Sequence, residues 1–350
     1  MESSLQTVRA ESVDLLSTEQ LKSAWLRADP VEFGDPVLAH AKFPFRETYF
    51  PLGFPVTVVT NSTAVLDAAR QNWGKFSKLF DHEPVEINVG VTSTDSHVCP
   101  PTPVCRIRDH LITNIADGEN CAISDPSRGY ALLWVTNATL EHGDYFRYFF
   151  LDSTAMCAIG SRLATAIHAG CVSLDGAGVL LCGDSGAGKS TLAYACARAG
   201  WTYVADDGSY LVHGRDDRLV VGNSGQVRFR PTAERLFSEL RGYGIMQRAG
   251  VGKPSIEFPT NDNPVITASS TAIVRQIVFL NRGVRTQELV VFPTAVARMY
   301  MIQRVHCMAY RAPEHAQAID HLLRVGAYEL RYNDLDWAVE RLEHLARESR

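Results

Sequence analysis

Nine consecutive residues carry the strongest chemical signal in this chain: Gly183, Asp184, Ser185, Gly186, Ala187, Gly188, Lys189, Ser190 and Thr191. The first eight fit the pattern GxxxxGK[ST]. The glycines permit backbone angles that turn successive N–H groups inward around phosphate oxygens. Lys189 reaches the outer phosphates, and the Ser190 hydroxyl suits a magnesium ion. By composition alone the four fixed positions fall together roughly once in a hundred chains of this length. The context adds to the case. The apolar run 178–182 enters the loop as a strand, and 190–198 leaves it as a helix whose N-terminus favours an anion. The expected ligand is a nucleoside triphosphate with Mg2+. No Asn-Lys-x-Asp guanine signature is present, so ATP is the expected nucleotide.

Two carboxylates follow at the right place. Asp206 and Asp207 come directly after an expected strand, 202–205, which we place beside the loop strand in a parallel sheet. Its C-terminal end then faces the same crevice. One carboxylate there can hold magnesium and the other can accept a proton from an attacking hydroxyl. A plain polar turn is the alternative reading of Asp206, Asp207, Gly208 and Ser209. His168 lies 15 residues before Gly183. Taken alone it reads as a histidine at the end of a helix, interacting with the helix dipole. Arg228 and Arg230 alternate along an expected strand and so share one face, where they can contact phosphate or an acidic acceptor or simply meet solvent. Lys253 sits in a glycine-bearing stretch, 250–255, that reads either as a cover for a nucleotide or as an ordinary surface loop.

These residues resemble those of the bacterial HPr kinase/phosphorylase family. The resemblance rests on His168 to Asp175, on Gly183 to Ser190, and on Gly200 through Val204, Ala205, Asp206 and Asp207, in that order and at similar spacing. It implies an α/β P-loop kinase core and transfer of phosphate from ATP-Mg to a serine hydroxyl of a small protein. It implies catalytic roles for His168, Asp206 and Asp207, and phosphate and metal roles for Lys189 and Ser190. A histidine beside these carboxylates should have a raised pKa. The run from Glu239 to Gly244 is similar to a family segment that supplies a metal ligand, which makes Glu239 a metal candidate beside Ser190 and Asp206. Residues 1–150 do not resemble that family's N-terminal domain, and its later substrate segment has no counterpart here. The expected acceptor is therefore a hydroxyl of a small protein, a peptide or a small molecule. An ATP-binding or ATP-hydrolysing regulatory module without kinase activity is the second reading.

The surrounding elements must hold these groups in place. We expect an α+β N-terminal region over 1–150 and the HPr kinase-like nucleotide-binding domain over 151–350. Ser17 to Gln20 opens a short helix. Strands are expected at 55–60 and 86–91, with a helix from Thr63 to about Phe80 and a polar loop over 92–103. Aromatic and β-branched residues mark strands at 130–135 and 145–151. A helix capped by Asp152 to Thr154 should run to Ala169. Strands 171–174 and 178–182 flank Asp175 and Gly176. Further strands fall at 210–212, 219–221, 277–280, 289–292 and 328–332. Asn333 and Asp334 cap a closing amphipathic helix carrying Ala338, Leu342 and Leu345.

Composition sets the outer limits. The 350 residues are 46% hydrophobic and 21% charged, with a formal net charge of −5, which fits a globular chain and gives no electrostatic reason to expect nucleic-acid binding. No apolar stretch reaches 18 residues, so no membrane span is expected. The start lacks the pattern of a secretory signal. The 8 cysteines form no CxxC pair and read as reduced thiols in a cytoplasmic protein. A homo-oligomer is compatible with these features.

Overall fold

The computed structural model describes residues 17–27, 42–247, 252–260, 263–305 and 309–348. Cys307 and the start of the Lys253 stretch, Gly250 and Val251, lie outside them. The chain opens with α1 (Thr18–Arg27). Ser17 and Gln20 close it reciprocally: the Ser17 hydroxyl accepts the Gln20 N–H at 3.2 Å and Gln20 Oε1 accepts the Ser17 N–H at 2.7 Å.

A first sheet follows from β1 (Phe45–Tyr49), β2 (Val56–Thr60), β3 (Val85–Thr92), β4 (Val104–Arg108), β5 (Leu111–Ile115), β6 (Cys121–Asp125) and β7 (Tyr130–Thr136), in the order β1-β2-β3-β7-β6-β5-β4. The centre, β2-β3-β7, is parallel, because α2 (Thr63–Trp73) carries β2 over to β3. The strands β7-β6-β5-β4 form an antiparallel meander. Every residue of β2 is buried. α2 stops at Trp73 rather than near Phe80, and Gly74 closes it by donating to the Arg70 carbonyl at 2.8 Å.

Residues 145–151, expected as a strand, are helical. They lie across α3 (Asn137–Glu141), α4 (Gly143–Phe146) and a wide helical turn, Arg147–Asp152, before α5 (Ser153–Arg162). The aromatics explain the outcome. Phe146 with Phe150 and Tyr145 with Phe149 are four residues apart, so a helix puts each pair on one face, at ring separations of 6.3 and 5.0 Å. Burial of that face against the first sheet outweighs the β propensity of single residues. Trp73 Nε1 ties α2 to this stretch by donating to Asp152 Oδ1 at 2.9 Å.

α5 also ends earlier than expected, at Arg162 rather than Ala169. Residues Ala164–Ile167 form β8, drawn into a second sheet by the open edge of β12. That sheet contains β9 (Ala169–Leu174), β10 (Ala177–Cys182), β11 (Thr202–Ala205), β12 (Ser209–Val212), β13 (Leu219–Gly222), then β17 (Thr267–Ala268) and β18 (Thr271–Arg282), with β19 (Glu288–Val291) and β20 (Tyr328–Tyr332) at the far side. The order is β17-β11-β9-β10-β18-β13-β12-β8, and β20 pairs with both β18 and β19. A small third sheet is made by β14 (Gln226–Phe229), β15 (Ile245–Met246) and β16 (Ser255–Pro259). α6 (Lys189–Arg198) and α9 (Leu335–Glu348) cover one face of the second sheet; α7 (Thr294–Ile302) and α8 (Ala312–Leu322) cover the other. The second sheet is thus mixed, with parallel and antiparallel neighbours and helices on both faces. The apolar core over the first sheet runs on into Val212 and Val221 of the second.

One expected neighbour relation is different. β11 does not lie beside β10. β9 sits between them, antiparallel to both. Two antiparallel steps restore the direction, so β10 and β11 still end at the same edge of the sheet, and the start of β9 joins them there.

Candidate functional site

The edge where β10 and β11 end gathers the groups singled out in the sequence. β10 is buried along its whole length and delivers the chain at Gly183. The loop then turns back on itself, with the Ala187 N–H donating to the Asp184 carbonyl at 3.0 Å. Gly188 has φ of 102° and sits just ahead of α6, with a missing Cβ that would lie 2.7 Å from the Tyr332 hydroxyl. An L side chain there is excluded twice, by backbone conformation and by space. Ser190 and Thr191 fall in the first turn of α6.

Lys189 is the centre of the arrangement. Its side chain is only 5% exposed. The ammonium donates to the Gly183 carbonyl at 3.0 Å and to His168 Nε2 at 3.1 Å, and lies 3.2 Å from Asp207 Oδ1. A buried ammonium requires such partners, because desolvation without them is costly. His168 occupies the junction between β8 and β9 rather than a helix end, and its Nδ1 is 3.6 Å from Asp207 Oδ1. Since Nε2 accepts from the ammonium, the neutral ring carries its proton on Nδ1, facing Asp207. The expected rise in the His168 pKa is not found. Burial lowers it, Asp207 opposes that, and the cations Lys189 and Arg304 lower it further. The ring is neutral at neutral pH chiefly because it is buried, and the neighbouring ammonium offsets part of the carboxylate's effect.

Asp206 faces a different set of partners. Its Oδ2 accepts the backbone N–H of Arg228 at 2.8 Å, and it shares a side-chain hydrogen bond with Ser190. Burial raises its pKa to about 6. The Arg228 N–H and Ser190 pull against that rise, and neighbouring Asp207 adds to it. The two carboxylates therefore sit side by side in unlike settings: Asp206 with a hydroxyl, Asp207 with two nitrogen bases. Ser190 and Asp206 offer hard oxygen donors in contact, which fits Mg2+ completed by phosphate and water oxygens. Among the described residues no cluster of three or more His, Cys, Asp or Glu side chains forms a metal site by itself.

The remaining expected residues divide. Lys253 reaches the loop and donates to Ser185 Oγ at 3.2 Å. The Arg228 side chain turns away to Glu257, 3.2 Å from Nε, and to Ser255 Oγ at 3.1 Å, so only its backbone serves this edge. Arg230 is exposed just beyond β14, and no described contact joins it to the loop. Glu239 is not brought to Ser190. It accepts from the Tyr194 hydroxyl at 3.0 Å and lies 3.4 Å from Arg198, in the last turn of α6. That is about 12 Å along the helix from Ser190. The helix between them carries Glu239 away from Ser190 and Asp206.

Two residues missing from the sequence reading complete the edge. Arg304, just past α7, holds Asp184 Oδ1 at 2.7 Å and stacks 3.8 Å over the Tyr300 ring. The Tyr300 hydroxyl accepts the Gly183 N–H at 3.1 Å. Both arrive from more than 100 residues downstream, on a helix with no motif to mark it.

Comparison with known proteins now bears on the site. Residues 161–257 match the family model described as the HPr Serine kinase C-terminal domain. The protein is HPr kinase-like. The matched stretch holds His168, the glycine loop, Asp206 and Asp207, and stops short of Tyr300 and Arg304. Curated relatives include an HPr kinase/phosphorylase from Limosilactobacillus reuteri, 37% identical over 81 residues, which are 23% of this chain and 23% of that one. Another, from Bacillus cereus, is 39% identical over 82 residues, 23% of this chain and 24% of that one. The chain thus spans about a quarter of the length of the curated relatives it matches. A solved Hpr(Ser) kinase/phosphatase from Coxiella burnetii aligns with 53% of this chain and 99% of that one, at 13% identity and a TM-score of 0.28, a likeness too slight to carry an argument. Among the described residues no helix is long and apolar enough to cross a membrane.

Proposed function

We propose that this HPr kinase-like protein transfers the γ-phosphoryl group of ATP-Mg to a hydroxyl acceptor. The observation that carries the reading is the buried Lys189 ammonium bound at once by the Gly183 carbonyl, His168 and Asp207, with Ser190 and Asp206 in contact beside it. Loop N–H groups, the N-terminus of α6 and Lys189 bind the phosphates, with Arg304 and Lys253 adding positive charge at the rim. Ser190 and Asp206 would hold Mg2+, which would supply positive charge against the outer phosphates. Asp207 accepts the acceptor's proton, and the neutral His168 ring orients it. The described part of residues 1–150 shares one apolar core with α5 and with Val212 and Val221.

The test is direct. Lys189→Ala should weaken ATP-Mg binding by about 1.5–3 kcal/mol, the range for a hydrogen bond to a charged group. Isothermal titration of the folded variant measures it. Unchanged affinity would remove the loop from the nucleotide site. Nucleotide hydrolysis with no transfer to any hydroxyl would instead favour the regulatory-module reading.

A further inference from the structure

A cavity of about 730 Å3 opens between the two large sheets, and Asp206 and Gly208 form part of its wall. Its other walls come from α2, from strands β5 and β6, from the helical stretch 144–157, and from the third sheet at Gln226 and Glu257. It therefore starts at Asp206, one member of the carboxylate pair, and runs toward residues 51–157, outside the stretch matched by the kinase family model. The volume is that of a site for a small organic molecule.

The lining states what chemistry belongs there. Five amides, Gln71, Asn72, Asn114, Asn223 and Gln226, border the space with five aromatic rings, among them Phe76 and Tyr148. An amide donates and accepts together, as an alcohol does, so a row of amides matches a molecule with several hydroxyls. The rings supply flat apolar faces for its carbon skeleton. Asn72 gives the sharpest indication. Its Nδ2 is buried and has no hydrogen-bond partner among the described residues. A buried donor left unpaired is costly, and a turn of the Asn72 amide toward the cavity would let a ligand oxygen satisfy it. Charge narrows the class further. Four carboxylates, Asp144, Asp152, Asp206 and Glu257, border the cavity against two cations, Lys75 and Arg147. Arg147 is already held by Asp144 and by Gln71 Oε1, the latter at 2.6 Å. Such a wall disfavours an anionic guest.

We infer that this cavity is the acceptor site, and that the acceptor is a neutral, polyhydroxylated small molecule of sugar to nucleoside size. The inference rests on the phosphotransferase reading and deepens it. One hydroxyl of the guest, lying at the Asp206 end of the cavity, attacks the γ-phosphorus. The new O–P bond forms as the bond from the γ-phosphorus to the bridging oxygen breaks. ADP leaves with the bridging oxygen's electron pair, and the hydroxyl proton passes to a carboxylate.

The experiment uses the full chain, γ-labelled ATP-Mg and four neutral probes, glucose, ribitol, myo-inositol and adenosine, with glucose 6-phosphate as the anionic control. At least one neutral probe should take label, and glucose 6-phosphate should not. Asn72→Leu and Tyr148→Ala should each raise the KM for the labelled probe about 10-fold or more while ATP-Mg affinity stays within two-fold, since neither residue touches the glycine loop. Asn72→Leu removes an unpaired buried amide and should fold at least as stably as the parent. The inference is overturned if ATP-Mg binds through Lys189 and no neutral probe is labelled, if only glucose 6-phosphate or only a protein is labelled, or if neither variant moves the probe's KM. If ATP-Mg does not bind, or Lys189→Ala binds it as well as the parent, the phosphotransferase reading itself fails.

Discussion

Two histidine settings in this molecule invite comparison. His168 lies between the Lys189 ammonium and the Asp207 carboxylate at the edge of the second sheet. His213 and His315 lie together further along the same sheet, both bound to the Thr165 hydroxyl, at 2.8 and 2.9 Å, with ring centres 5.2 Å apart. Burial lowers the pKa in all three, and in His315 it brings it down to about 4. The shift alone therefore does not separate a chemical site from a structural one. The neighbours do. Around His168 stand groups that exchange protons or bind anions, whereas the other pair closes on a hydroxyl in a packed interior.

The comparison can be broken most decisively at Asp207. On the proposed reading Asp207→Asn keeps ATP-Mg affinity and lowers phosphoryl transfer by about 100-fold or more, a typical loss for a general base. Rapid-quench assays with saturating nucleotide measure it, and full transfer by the variant would take Asp207 out of the chemistry. His168→Ala should reduce transfer by about 10- to 1,000-fold, with nucleotide affinity within a few-fold. Because its pKa is lowered, His168 should contribute no limb to the pH–rate profile above its ordinary value of about 6.5. A limb above that value, lost in His168→Ala, would show that the ring is charged in the working enzyme.

His315 should show its effect in stability instead. Its folded pKa, about 4, is below the ordinary unfolded value of 6.5. As pH falls from 6.5 toward 4 the unfolded chain takes up the proton first. Stability is therefore full above pH 6.5 and declines through that window, by at most about 2–3 kcal/mol. Urea titrations at pH 7.5 and 4.5 should show a smaller difference for His315→Gln than for the parent. An identical difference would mean that other groups govern the acid side. The smallest effect is expected at Arg304, which is partly exposed and already paired with Asp184. Arg304→Gln should weaken ATP-Mg binding by about 0.5–1 kcal/mol, and no change in titration would mark its ion pair as incidental.

The sequence made the centre of the site readable for a local reason. Loop, flanking strand and helix are contiguous, and each needs residue types that few other structures require, so β10 and α6 were legible, as were the hairpins around Asp175 and Gly214. β20 and the Asp334 cap of α9, where Asp334 Oδ1 accepts the Trp337 N–H at 2.7 Å, followed from equally local signals. The misses depended on distant partners. Strand-like aromatics at 145–151 became helical because the first sheet offered a face to bury them. Ala164–Ile167 left the helix because β12 had an edge to fill. The exposed strand β4 and its neighbours carry little apolar alternation to announce them. Glu239 matched a family segment by its neighbours in sequence, yet its carboxylate went to Tyr194 and Arg198. Arg304 and Tyr300 reach the loop only through the folding of α7.

The bond between Lys189 and Asp207 has a kinetic meaning. Phosphate oxygens and the Asp207 carboxylate compete for one ammonium, held where it has little room to move. The arriving nucleotide thus frees the carboxylate, and an acceptor that comes first meets a base already engaged. On the proposed reading turnover should run in compulsory order, nucleotide before acceptor. Initial-rate patterns with a dead-end nucleotide analogue would reveal that order, and random addition would show that the ion pair is too weak to impose it.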